Sequence, residues 1–121
     1  MIAIVDDDFR IRESLVNLLE AEEYAVKAYS SAEEFIADNE RTVVDCLISD
    51  ISMPGIGGLE LLQRMRSEHP AIPVIMITAR GRRFDEEPFI KAGAQAILHK
   101  PFDCAELLHA VTNALAARRR Q

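Results

Sequence analysis

Residues 45–55 read DCLISDISMPG: an apolar run, an acid, and then a methionine, a proline and a glycine. A short aliphatic run cut off by turn formers is the pattern of a fully buried strand. Asp50 therefore stands where a buried strand hands the chain to a loop. An aspartate there either opens a turn, which its side chain favours, or is held in place for its chemistry.

The same rhythm repeats on both sides of this stretch. IAIV (2–5), YAVKAY (24–29), VVDCLIS (43–49), PVIMIT (73–78) and AQAIL (94–98) predict five strands, separated by stretches in which apolar residues recur every three or four positions. The first, third and fourth are nearly all apolar, which predicts central parallel strands covered by helices on both faces. Ile11, Leu15, Leu18 and Leu19 form the buried face of a first helix; Ala32, Phe35 and Ile36 serve a short second, and Leu59, Leu62 and Met65 a third. The last helix runs through Leu107, Leu108, Val111 and Leu115. SAEE (31–34) and DCAE (103–106) carry the capping-box spacing of a helix start. Pro88 forbids a long helix through FDEEPFIKAG, so the fourth helix is placed at 88–92 with Gly93 closing it and 80–87 as loop.

Five βα units with right-handed crossovers make a doubly wound α/β three-layer sandwich. The 121 residues, 49% of them hydrophobic, fit a single domain over 1–121, with 118–121 as either a frayed helix end or the start of a linker. The net charge of −6 argues against direct nucleic-acid binding by this domain. No apolar run approaches the roughly 18 residues of a membrane span, and Met1 leads directly into IAIVDDD, so a cytoplasmic location without membrane contact is expected. Cys46 and Cys104 lack metal-like spacing and are read as reduced packing residues. His69, His99 and His109 are scattered and are not read as ligands.

In doubly wound sheets ligands bind beyond the carboxyl ends of the strands. Those ends carry Asp6, Asp7 and Asp8 after the first strand, Asp50 after the third, Thr78 after the fourth, and Lys100 with Pro101 after the fifth. Each alone has an ordinary explanation: acids cap helices, and threonine or lysine at a strand end is common. Their joint occurrence at four strand ends is the informative feature. Carboxylates about 4 Å apart repel by roughly 1–4 kcal/mol per pair. Oxygen ligands without a His or Cys cluster suit a hard ion such as Mg²⁺, which commonly shares its coordination with phosphate. An aspartate beside such an ion, an ammonium and a hydroxyl is equipped to attack phosphorus and form an acyl phosphate.

IVDDD (4–8), DISMPG (50–55), GLELL (58–62), MITA (76–79), KAGA (91–94) and KPF (100–102), in this order and spacing, resemble the receiver domains of bacterial two-component response regulators. The resemblance covers essentially the whole chain. It implies a flavodoxin-like (βα)5 fold whose parallel five-stranded sheet has the order 2-1-3-4-5. Asp50 would be the phosphoacceptor, taking its phosphoryl group from the phosphohistidine of a sensor histidine kinase. Asp7 would contact Mg²⁺ directly, Asp6 through water, and the carbonyl of Ser52 would complete the protein ligands beside Asp50. Thr78 and Lys100 would bond the phosphoryl oxygens, and Asp8 keeps its reading as a helix cap.

The implied role is a switch that catalyses only its own phosphorylation and dephosphorylation. Its output would pass through the face of the fourth helix, fifth strand and fifth helix to a partner, a second copy, or a C-terminal output domain such as a transcriptional one. Ile97 occupies the position, three before Lys100, where many receivers carry an aromatic that moves with the threonine. Ser52 and Arg80 occupy positions that in this family flank the path of the hydrolytic water, and the long Arg80 side chain is expected to slow phosphate loss by screening the acyl phosphate. Two other readings compete: a phosphorylation-independent interaction module, disfavoured by a complete set of site residues, and a small aspartyl-phosphate hydrolase, disfavoured by the lack of a substrate-binding insertion.

Overall fold

The computed structural model describes residues 1–38, 43–79 and 86–119. Five strands alternate with five helices: β1 (Ile2–Val5), α1 (Phe9–Ala21), β2 (Val26–Tyr29), α2 (Ala32–Ala37), β3 (Cys46–Asp50), α3 (Gly58–Glu68), β4 (Val74–Ala79), α4 (Glu87–Lys91), β5 (Ala96–Lys100) and α5 (Cys104–Arg119). All four pairings are parallel and the order is β2-β1-β3-β4-β5, as expected. The three apolar strands are the three interior ones.

Alternation along each interior strand divides the core in two. Ala3, Val5, Leu47, Val74 and Met76 point to the side covered by α2, α3 and α4, where they meet Phe35, Leu61, Leu62, Met65 and Phe89. Ile2, Ile4, Cys46, Ile48, Ile75 and Ile77 point to the side covered by α1 and α5, against Leu15, Leu19, Leu107, Ala110, Val111 and Ala114. Each fully buried aliphatic side chain contributes about 1.5–3 kcal/mol relative to exposure. Both faces of the central strands are thus dry, and polar groups can emerge only at the strand ends.

The helix starts follow their capping residues. Asp8 Oδ1 accepts from Arg10 N–H at 2.9 Å, Ser31 Oγ from Glu34 N–H at 3.1 Å, and Asp103 Oδ1 from Glu106 N–H at 2.7 Å. At α2 the returning carboxylate of Glu34 reaches past Ser31 to the hydroxyl of Ser30. Pro88 sits in the first turn of α4, and Gly93 closes that helix at φ +94°. The expected loop at 80–87 lies outside the described residues as far as 85; Glu87 is already helical.

Strand bounds differ from expectation where neighbouring helices claim the chain. Tyr24 N–H bonds Leu19 O and Ala94 N–H bonds Phe89 O, so these residues close α1 and α4 rather than opening β2 and β5. Val43 is exposed and Val44 buried ahead of β3, which begins at Cys46 and carries Asp50 as its last residue. In α3, Leu61 is fully buried while Leu59 is only half-buried. Cys46 meets its packing role: burial, with help from Asp45, pushes its thiol up to about 12. Cys104 does not; it is exposed with the rest of the first turn of α5, ahead of the first buried residue, Leu107.

Gly58 is where α3 meets β3. A Cβ there would lie 2.6 Å from Asp50 O and 2.7 Å from Ile51 Cα, both backbone atoms, whereas at Gly57 nothing stands closer than 3.8 Å. Gly58→Ala should destabilise the domain by about 2 kcal/mol, an overpacking penalty near 3 outweighing alanine's helix advantage of about 1. Gly57→Ser, which adds a hydroxyl to a helix start without a side-chain cap, should be neutral or stabilising by a few tenths. Urea denaturation midpoints of the two variants check both.

Candidate functional site

The carboxyl ends of β1, β3, β4 and β5 converge on one rim. Asp6 follows β1 directly and is 1% exposed; Asp50 ends β3 and is 8% exposed; Thr78, near the end of β4, is 2% exposed. Register explains the convergence, because Asp50 lies opposite Ile77 and Ile51 N–H continues the ladder to Ile77 O at 3.0 Å. Thr78 is the next residue along β4, and Lys100 closes β5 opposite Ala79.

Asp6, Asp7 and Asp50 bring one carboxylate oxygen each to within 4.8 Å of one another, and among the described residues this is the one acidic, His or Cys group close enough to share a metal ion. Lys100 Nζ stands 3.2 Å from Asp6 Oδ2 and 3.5 Å from Asp50 Oδ1. Asp50 Oδ1 also accepts from Ile51 N–H at 3.0 Å. Burial and then the neighbouring charge of Asp6, with a smaller contribution from Asp7, hold the Asp50 carboxyl above the usual carboxylate range; Lys100 and the Ile51 N–H oppose this without cancelling it. Three carboxylates, two of them paired with the same ammonium, form a site whose donor set and charge fit a hard divalent cation.

Asp6 is tied at every polar atom. Its N–H bonds Tyr29 O at 3.2 Å, Oδ1 accepts from Asp8 N–H at 2.9 Å, Oδ2 meets Lys100, and its carbonyl accepts from Arg12 Nη1 at 2.7 Å. The sequence reading gave Arg12 no role. A signal was available: helical side chains lean toward the helix N-terminus, so a long one in the first turn reaches back to the preceding loop.

Other expected residues fall as follows. Ser52 lies in the loop between β3 and α3, where Met53 anchors the chain in the core and Gly55 takes φ +75°. Ile97 is half-buried opposite Met76 and packs toward the α2–α4 side of the core. Asp8 caps α1, as expected. His69 caps the end of α3, His109 lies on α5 beside Asn113, and His99 faces Glu86 at 3.6 Å; they do not gather. Arg80 lies outside the described residues. The Lys100–Pro101 peptide is cis. No described helix is long and apolar enough to cross a membrane.

Comparison with known proteins places this geometry. Residues 2–112 match the response regulator receiver domain family. The transcriptional regulatory protein FixJ of Azorhizobium caulinodans is 38% identical over 112 residues, which cover 93% of this chain and 53% of FixJ. The response regulator protein TodT of Pseudomonas putida is 36% identical over 115 residues, covering 95% of this chain and 51% of TodT. The crystal structure of a CheY-like response regulator receiver domain protein from Methanospirillum hungatei superposes with a TM-score of 0.90 at 31% identity, covering 98% of this chain and 95% of that one. The chain thus spans about half the length of the curated relatives it matches. Since the family match extends from β1 into α5 and so takes in every strand end of the rim, the chain belongs to the receiver domains of two-component response regulators.

Proposed function

We propose that this receiver accepts a phosphoryl group on Asp50 from the phosphohistidine of a sensor histidine kinase, with Mg²⁺ held by Asp6, Asp7, Asp50 and the backbone carbonyl of Ser52. The observation that carries this reading is the meeting of three carboxylates with Lys100 at one sheet end. Ile51 N–H and Lys100 both act on Asp50 Oδ1, which leaves Oδ2 to form the new bond. An oxygen of Asp50 attacks phosphorus, the P–N bond to the donor imidazole breaks, and its electron pair leaves with the ring nitrogen. Lys100 balances the charge of the transferred group, and the Thr78 hydroxyl donates to its oxygens. Mg²⁺, when bound, neutralises phosphoryl charge and fixes orientation.

The product adds charge and strong acceptors beside Thr78, whose neighbour strand β5 carries Ile97. Thr78 and Ile97 are the proposed switch, passing the change to the face of α4, β5 and α5. Residues 1–121 then act as one cytoplasmic signalling domain rather than as an enzyme toward other substrates. FixJ, a transcriptional regulator about twice as long, supports a transcriptional output domain as the recipient, with a second copy on the same face as the other form of output.

Incubation with Mg²⁺ and acetyl phosphate, followed by intact-mass measurement, should give one phosphoryl adduct. The adduct should be absent without Mg²⁺ and absent in Asp50→Asn. A folded, Mg²⁺-binding wild type that stays unmodified would sink the reading.

The raised Asp50 pKa makes a stability prediction with a definite sign. A carboxyl whose folded pKa lies above its unfolded value keeps its proton better when folded, so folding stability falls as pH rises from the ordinary carboxylate range through the raised value. Without Mg²⁺ at neutral pH, Asp50→Asn should therefore be more stable than wild type by on the order of 1 kcal/mol, or about 4 °C in Tm. The gap should close at acid pH and shrink or reverse on adding Mg²⁺, which thermal melts read directly.

A further inference from the structure

Phe9 is the first residue of α1 and is 65% exposed. One helical turn on, Arg12 lays its guanidinium over the Phe9 ring, 5.7 Å from the centroid, while Nη1 donates to Asp6 O at 2.7 Å. Positions i and i+3 share a helix face, so the pairing follows from the sequence once α1 forms. The ring orients the guanidinium; a contact of this kind contributes about 0.5–1 kcal/mol at an exposed site.

The carbonyl that Arg12 holds belongs to the peptide joining Asp6 to Asp7. That unit is planar, so fixing its oxygen fixes the direction in which the Cα of Asp7 leaves it. Asp7 is exposed, and its side chain makes no hydrogen bond or ion pair among the described residues. Its placement beside Asp6 and Asp50 thus depends on the backbone beneath it. We propose that Arg12, stacked on the Phe9 ring, is a positioning residue for the cation site: it locks the Asp6–Asp7 peptide so that the Asp7 carboxylate faces Asp6 and Asp50. This rests on the Mg²⁺ site proposed above and adds to it a determinant outside the ligand set.

Electrostatics and positioning predict opposite signs, which makes the proposal decidable. Arg12 is a cation near a cation site, so if charge were its whole contribution, Arg12→Ala would tighten Mg²⁺ binding. If Arg12 positions Asp7, the same variant weakens binding by about tenfold, the usual scale for losing a group that orients a metal ligand. Calorimetric Mg²⁺ titration of wild type, Arg12→Ala, Arg12→Lys, Phe9→Ala and Arg10→Ala separates these. Arg10 is exposed on the same turn, and its side chain makes no hydrogen bond or ion pair among the described residues, so Arg10→Ala removes an equal charge without a contact.

The expected result is weakened binding for Arg12→Ala, partial recovery with Arg12→Lys, a smaller loss for Phe9→Ala, and unchanged or slightly tighter binding for Arg10→Ala. Urea denaturation without Mg²⁺ accompanies each titration. Arg12→Ala that loses stability yet binds Mg²⁺ as wild type, or binds it more tightly, would overturn the positioning role while leaving the cation site standing. A folded wild type that fails to bind Mg²⁺ would overturn both.

Discussion

Asp50 is fixed at the end of a strand paired on both edges, β1 on one side and β4 on the other, with apolar helices over both faces. That pairing fixes where its Cα stands, and burial there leaves the residue only 8% exposed. Asp6 is buried for the same reason at the end of β1. The core therefore holds two acids in proximity that free side chains would avoid, and the many apolar contacts of the central strands offset the penalty. A site assembled against its own electrostatics responds strongly to what relieves it, since binding that removes repulsion adds to stability by mass action.

The fold was legible because the determining signals are one-dimensional. Uniformly apolar runs marked β1, β3 and β4, and chemically mismatched residues at their ends marked the rim. What was not legible was decided by competition between elements. Tyr24 and Ala94 belong to helix ends through single backbone hydrogen bonds, which composition does not record. Cys104 misled because α5 buries nothing before Leu107. Arg12 was overlooked because its partner is a backbone carbonyl, and a carbonyl has no letter in the sequence.

The α4 region sets the terms for any response on the far side of the site. Pro88 limits α4 to five residues, with Phe89 buried and Ile90 exposed. A helix this short does not hold itself together in isolation, so its packing through Phe89 decides how firmly it sits. Ile97 lies on β5 against the same side of the core. Being β-branched it is stiff at χ1, so it suits a small shift in packing better than the wide swing of a ring.

Asp6 and Asp7 divide the demands on the acidic pair. Asp6, buried and bonded through its amide, carbonyl and both carboxylate oxygens, is the fixed reference against which Lys100 and α1 are placed. Asp7, exposed and held through its backbone, keeps a carboxylate free to exchange water for a ligand. A hard cation such as Mg²⁺ keeps several waters and is held through one or two carboxylates, an arrangement that a buried Asp6 beside a solvent-facing Asp7 would suit. Adjacent residues differ in this way because β1 ends between the two environments, its last turn toward the core giving Asp6 and its first step into solvent giving Asp7.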